Sequence, residues 1–350
     1  MSANGLPVRD LVRTVTRGHP DGPGTVCGAA LFVSAAAASV MAGGEPGAPS
    51  PVPRIPDVYA VMHVHTDFAR PVQPARPAAP WWLGRWRDSW PAARHAAAVA
   101  AAREAIARGD VYQVNVVGHA SARYAGDPLP ALRRVAALPG ARYGGVLAGD
   151  GWALATASPE TLVEVRGGRL VTRPIKGTRP ATAAGRRELL ASAKERAEHV
   201  MIVDLERNDL ARLPGAGPVR VDELFAVRRW CGLWQAESVV SAPLAGPLDL
   251  ADLLRAVSPG GSVTGAPKIA ALAQIARLEP VGRGVSMGAV GWVAPDYADL
   301  GLTIRTVAAD GDRLHLWAGG GITWDSDPAA EVAEAAAKAA PLRAALAAER

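Results

Sequence analysis

Cysteine is nearly absent from this 350-residue chain, which has only Cys27 and Cys231. Two isolated thiols with no C-x-x-C pair exclude a disulfide framework and a cysteine-based zinc site, and a reducing, cytoplasmic setting is the expectation. An excess of one charge is scarce too. The 38 Lys and Arg residues outnumber the 33 Asp and Glu residues for a formal +5, and arginine is spread along the chain rather than gathered in runs. Nothing here resembles a nucleic-acid-binding stripe, and an enzyme with an anionic substrate accounts for the imbalance. Long apolar runs are missing as well. The stretch 28–44 follows Arg9, Arg13 and Arg17 in a loosely signal-like layout, but alanine and serine make it weakly hydrophobic and it falls short of a membrane span. It reads as a strand leading into a small-residue helix or loop. No repeat period is visible. The remainder, 49% hydrophobic and 20% charged, has the composition of an ordinary globular protein. Its length allows one large domain or two smaller ones.

Proline and glycine divide the chain unevenly. Residues 1–93 are expected to form a shortened Pro/Gly-rich region, punctuated at Gly43–Pro49 and Arg70–Pro77. Four tryptophans, Trp81, Trp82, Trp86 and Trp90, read as a packing cluster or a lid over the main domain. Residues 94–346 are more regular and are expected to form the catalytic domain. A helix is predicted over Arg94–Arg108, ending at Gly109-Asp110, and a strand over Val111–Val117. Short strands at Ala153–Thr156 and Leu162–Val165 follow. Further helices are predicted over Glu188–Arg207, Leu248–Ala256 and Pro328–Leu346, the last capped by Asp325-Ser326-Asp327. Strand runs mixed with separated helices indicate an α+β fold.

Three groups of residues carry chemistry. Glu195 and Glu198 lie three apart on one predicted helix, and Glu331 and Glu334 on another, so each pair shares a face. Two such faces together would make an all-oxygen site of the kind Mg²⁺ takes, although Glu pairs at this spacing are also common on solvated helices. Pro259–Lys268 is rich in glycine and small residues but lacks the phosphate-loop order, because Pro267 precedes the lysine and Ile269 follows it. It can bind an anion through backbone N–H groups and Lys268, or simply turn. Ala318–Ile322 likewise presents only backbone. Lys176, in Arg173-Pro174-Ile175-Lys176-Gly177-Thr178, sits on a constrained backbone. It would be a nucleophile if desolvation lowers its pKa, and alone it reads equally as a surface ion-pair lysine.

Taken in order, these segments resemble the chorismate-binding superfamily, which includes anthranilate synthase large subunits, aminodeoxychorismate synthase component I, and isochorismate and salicylate synthases. The matching stretches begin at Gly109–Asn115, Ser158-Pro159-Glu160, Arg173–Arg179 and Lys194–His199. They continue through Asp204–Leu210, Pro259–Lys268, Ile304-Arg305-Thr306 and Gly319–Ile322, and end at Ser326-Asp327-Pro328 with Glu331, Glu334 and Lys338. The resemblance implies packed, largely antiparallel sheets flanked by helices, with the active site between them. It implies that Glu198 and Glu334 ligate Mg²⁺ directly while Glu195 and Glu331 hold metal-bound water. Arg305, Lys338 and the segments around Gly177, Thr178, Ile304, Gly319 and Gly321 are implied to bind the two carboxylates of chorismate. Glu160 is implied to be the general acid that protonates the departing C4 hydroxyl.

Two positions sort the members. Isochorismate and salicylate synthases have a water-activating Lys where this chain has Gln113, which cannot act as a base. Anthranilate synthases typically have Ala at Lys176, whereas aminodeoxychorismate synthases carry Pro-Ile-Lys-Gly-Thr. The implied reaction is attack of Lys176 at C2 as the C4 hydroxyl leaves, then entry of ammonia at C4 to give 4-amino-4-deoxychorismate, the precursor of p-aminobenzoate. The alternatives are C2 amination, as in anthranilate or 2-amino-2-deoxyisochorismate synthases, and a silent chorismate-binding or scaffolding subunit. Departures fall at Ser238, where the family usually has a His implicated in the active site, and at Ser286, usually Tyr or Trp. No nucleophilic cysteine in a glycine-rich elbow is found, so a separate glutamine amidotransferase subunit is the expected ammonia source.

Overall fold

The computed structural model describes residues 26–64 and 80–347. Arg9, Arg13, Arg17 and the Arg70–Pro77 stretch lie outside them. Two antiparallel sheets dominate. The nine-stranded sheet runs β10 (Ile175–Pro180), β12 (Leu233–Pro243), β9 (Arg169–Arg173), β8 (Thr161–Arg166), β15 (Tyr297–Leu302), β14 (Ala289–Ala294), β1 (Val26–Val33) and β2 (Val58–Val64). In it β11 (Arg220–Trp230) also pairs with β12. The eight-stranded sheet runs β13 (Gly265-Ala266), β5 (Gln113–Ala125), β17 (Arg313–Ile322), β16 (Thr306–Asp310), β7 (Trp152–Ser158) and β6 (Tyr143–Gly149). Short β3 (Trp82-Leu83) and β4 (Arg87-Asp88) pair with β5. The α+β expectation holds: strand-rich sheets with helices around them.

Period-2 alternation explains the layering. On β7, Leu154 joins a core with Leu31, Phe32, Leu162, Leu300 and Val290 of the other sheet. Its neighbours Ala153, Ala155 and Ala157 face the opposite side, where α3 (Leu129–Ala136) and α8 (Pro328–Ala347) pack with Leu132, Val135 and Leu342. On β5, Val114 and Val116 meet α2 (Ala92–Ala107) and α7 (Lys268–Leu278) through Val99, Ala102, Leu272 and Ile275. Both faces of the eight-stranded sheet are therefore buried.

The N-terminal stretch is woven into this body. Its apolar 28–44 segment is β1 followed by α1 (Ala35–Met41), started by Ser34, whose Oγ accepts from Ala37 N. Three of the four tryptophans pack against the body, and Trp82 is exposed. Trp81 stacks near Tyr124 and donates to Leu346 O at 3.1 Å, Trp86 meets Arg343, and buried Trp90 stacks on His95.

Two predicted elements need correction. The long helix expected over Glu188–Arg207 is two helices, α4 (Ala183–Ala191) and α5 (Ala193–Ala211). Ser192 between them is extended at ψ 106°, and its Oγ accepts from Glu195 N at 3.2 Å. A serine favours capping over continuing a helix. The strand expected over Val111–Val117 starts at Gln113 and runs on to Ala125, because β17 pairs with it from Ile322↔Val114 to Arg313↔Arg123. Helix α6 (Leu250–Val257) is close to its expected span.

Candidate active site

The chain crosses between the two sheets at Ser158–Thr161, joining β7 to β8, and at Leu302–Thr306, joining β15 to β16. Each crossing leaves one charged residue in the seam. Glu160 is 3% exposed and its Oε1 accepts from Ile175 N at 3.2 Å. Burial pushes its carboxyl above the ordinary range, against the pull of Ser262, Ile175 N–H, Lys176 and Arg305. Arg305 has φ +53°, a conformation held only when the surroundings enforce it. Its guanidinium lies 3.8 Å over the Trp230 ring, and buried Nη1 has no partner. Burial draws its pKa down to about 10.

Strand β10 brings Lys176 to the same cavity. The register between β10 and β12 shifts between Lys176 and Thr178, where Gly177 sits at φ +73°. A Cβ on Gly177 would meet Leu189 of α4 at 2.7 Å and Glu195 of α5 at 3.0 Å, so only glycine lets both helices close over this bulge. Lys176 Nζ donates to Ser262 O at 3.1 Å. Burial lowers its pKa, with Lys338 adding to the effect and Glu198, Glu160 and Glu334 opposing it.

The capping serine of α5 fixes the first acidic pair. Glu195 accepts from Arg179 at 3.0 Å, and one turn later Glu198 accepts from Thr323 Oγ1 at 2.9 Å. The second pair stands on α8. Ser326 Oγ donates to Glu331 at 2.7 Å, while Lys338 bridges Glu334 at 2.7 Å and Gly319 O at 2.9 Å. Burial raises the pKa of Glu198 and Glu331. Burial would raise Glu334 as well, but the Lys338 ammonium takes it below the ordinary value. On β17, Gly319 must be bare because a Cβ would strike Val116 O, and Gly320 lies 3.0 Å from Glu331 by the same measure.

One cavity is lined by Glu160, Lys176, Gly177, Thr178, Glu195, Glu198, Ile304, Arg305, Gly319, Gly321, Glu331, Glu334 and Lys338. All of these were expected from the sequence. Gln113 lies just behind the lining, fully buried, where a Cβ on Gly321 would overlap its Nε2. Lys268 is a correction. It does not reach the cavity, because at the start of α7 its Nζ is held 2.7 Å from buried Asp209 of α5. Ser238 needs a second correction. It is fully buried behind the lining, with Oγ 2.6 Å from His199 Nε2 and accepting from Phe225 N at 2.9 Å. The residue of β12 that faces the cavity is Gln235. Ser286 is buried against Thr303 O, and its neighbour Met287 does the lining.

Sequence reasoning missed Gln235, Asn115, Ser262 and Lys194. A signal for Lys194 was available, since the chain has only four lysines, Lys176, Lys194, Lys268 and Lys338, and every one falls in a matching stretch. Lys194 lies 3.7 Å from Glu198 and 3.9 Å from Glu331, one carboxylate of each pair.

The four glutamates offer only hard oxygen donors in one cavity, which is the donor chemistry of a Mg²⁺ site. Among the described residues no three acidic, His or Cys side chains stand close enough to form a ready-made cluster. Lys194 and Lys338 stand among them, so an ion would draw the carboxylates in by side-chain rotation.

A family model described as chorismate binding enzyme matches residues 54–344. The chain belongs to the chorismate-binding enzyme family. It is 41% identical over 273 residues to anthranilate synthase component 1 of Streptomyces coelicolor, covering 76% of this chain and 53% of that protein. It is 42% identical over 233 residues to aminodeoxychorismate synthase component 1 of Klebsiella aerogenes, covering 65% and 52%. The chain thus spans about half the length of the curated relatives it matches. The crystal structure of anthranilate synthase component I from Streptococcus pneumoniae superposes with a TM-score of 0.79 at 26% identity, over 97% of this chain and 86% of that one. Relatives with both names stand at nearly equal identity. No helix among the described residues is long and apolar enough to cross a membrane.

Proposed function

We propose that this chorismate-binding enzyme is component I of an aminodeoxychorismate synthase, which aminates chorismate at C4 with ammonia and releases water. The observation that carries this reading is the desolvated Lys176 amine opening into the cavity that also holds buried Glu160. Burial favours the neutral amine, the form able to attack carbon. Lys176 Nζ bonds to C2, the two ring double bonds shift (C1=C2 to C1=C6, C5=C6 to C4=C5), and the C4–O bond breaks. Protonated Glu160 gives its proton to the leaving hydroxyl, which departs as water. Ammonia then bonds to C4, both double bonds shift back, and the C2–N bond to Lys176 breaks. The proton lost by the new ammonium group returns to Glu160. Arg305, Lys338 and the backbone of Thr178, Gly319 and Gly321 hold the carboxylates. Glu198 and Glu334 would hold Mg²⁺ directly and Glu195 and Glu331 through water, the ion supplying a Lewis-acid grip on the ring carboxylate.

Product analysis with chorismate, ammonium chloride and Mg²⁺ tests the proposal. The expected product is 4-amino-4-deoxychorismate, and Lys176→Ala should abolish it. A product aminated at C2, or anthranilate, would support the second reading, which the 41% identity to anthranilate synthase component 1 favours. The names of the relatives include "component 1", in keeping with ammonia supplied by a separate glutamine amidotransferase subunit in the cytoplasm. Glutamine alone should support no turnover by this chain.

A further inference from the structure

The two acidic pairs meet across a lysine that the proposed reaction leaves without a task. Lys194 stands on the first turn of α5, and its Nζ lies 3.7 Å from Glu198 Oε1 and 3.9 Å from Glu331 Oε1 of α8. It thus spans one carboxylate of each pair. Helix stability does not account for it. A cation in the first turn opposes the helix dipole, and lysine four residues before glutamate is the weaker order of a helical ion pair. Nor is it locked in place. Both distances exceed those of a direct hydrogen bond, and the oxygens it faces already accept from Thr323 Oγ1 at 2.9 Å and Ser326 Oγ at 2.7 Å. Lys338, the other ammonium among the glutamates, differs. It holds Glu334 at 2.7 Å and Gly319 O at 2.9 Å with its side chain 17% exposed, whereas the side chain of Lys194 is 37% exposed and reaches solvent.

We propose that Lys194 is a tethered counter-ion for the divalent site, an inference that rests on the metal reading above. Without a divalent ion its ammonium spans Glu198 and Glu331 and offsets their repulsion between α5 and α8. As the ion enters, the flexible four-carbon stem lets Lys194 swing outward, and the two carboxylates turn to the ion. The exchange adds one net positive charge rather than two, so binding is weaker than the four glutamates alone would give. An ammonium that merely stood nearby would repel the ion equally whatever its grip on the carboxylates. A counter-ion that must leave resists in proportion to that grip.

The test is calorimetric titration of Mg²⁺ into the metal-free chain without chorismate, with melting curves to check folding. Lys194→Met removes the charge and keeps the stem, and its Kd for Mg²⁺ should fall about tenfold or more. Lys194→Arg keeps the charge but forks onto both carboxylates, so its Kd should rise about threefold or more. A Kd for folded Lys194→Met within about twofold of wild type would overturn the proposal. So would tightening in Lys194→Met with no change in Lys194→Arg, the pattern of a bystander charge. Either result leaves the metal site standing. No Mg²⁺ binding by the wild type or either variant would overturn the metal reading as well.

Discussion

Arg305→Gln separates binding from folding more cleanly than any other substitution in the cavity. The guanidinium is buried, has an unpartnered Nη1, and lies over the Trp230 ring. No carboxylate stands within ion-pair distance among the described residues, so the charge is kept for something that enters. A charge-assisted hydrogen bond to a substrate carboxylate contributes about 1.5–3 kcal/mol, a factor of roughly 10–150 in kcat/KM for chorismate. Stability should move little. Loss of the cation–π contact costs about 0.5–2 kcal/mol, and removal of a desolvated, unpaired charge offsets it. Arg305→Lys keeps the charge but loses the planar face on Trp230, and it should fall between wild type and Gln. Initial rates over a chorismate series, with calorimetric melting of the same samples, check both halves. A chorismate kcat/KM within about twofold of wild type would refute the assignment, as would a loss matched by the unfolded fraction.

Three further outcomes follow from the same geometry. Gly321→Ala and Gly319→Ala, two residues apart on β17, should fail differently. The first displaces Gln113 and Lys176 and should cut kcat about a hundredfold or more with little change in melting, whereas the second strikes the β5 backbone and should destabilise by about 1–3 kcal/mol. Glu206 is buried beside Asp209, and its pKa is raised from 4.5 to about 8. A raised carboxyl contributes stability that is present below the unfolded value and lost as pH rises through the folded one. The melting temperature of the wild type should therefore decline between about pH 4.5 and 8 more steeply than that of Glu206→Gln, and parallel curves would reject this role. Chelation of divalent ions should stop turnover reversibly, and Glu198→Gln should raise the Mg²⁺ needed for half-maximal rate about tenfold or more. A chelator without effect would remove the metal from the scheme.

Much of the site was legible because its residues come in short, ordered stretches whose chemistry is local. The i,i+3 acidic pairs needed only helix geometry, and α5 and α8 supply it. The glycines at 319 and 321 needed only the idea of bare backbone. Lys268 was misjudged for a reason outside any local pattern, since Asp209, fifty-nine residues earlier in the chain, lies against it in space. The place of Ser238 depends on register. Only pairing with β10, which sets Thr178 opposite Gln235, shows which residues of β12 face the cavity. The contact of Asn115 with Ser262 was invisible because it joins β5 to a turn nearly 150 residues away.

Charge balance ties these parts together. The cavity is lined by five carboxyl groups, Glu160, Glu195, Glu198, Glu331 and Glu334, against four cations, Lys176, Lys194, Arg305 and Lys338. With Lys176 neutral, as nucleophilic attack requires, the deficit of positive charge grows. A substrate with two carboxylates enters such a site only if some of its acids are protonated or a cation comes with it. Burial holds Glu160, Glu198 and Glu331 toward the protonated form, and the acidic pairs can take a divalent ion. The proton that Glu160 would carry for the leaving hydroxyl in the proposed reaction and the ion expected at Glu198 and Glu334 then answer one electrostatic need. On the proposed reading, the general acid and the metal have a common origin in this cavity.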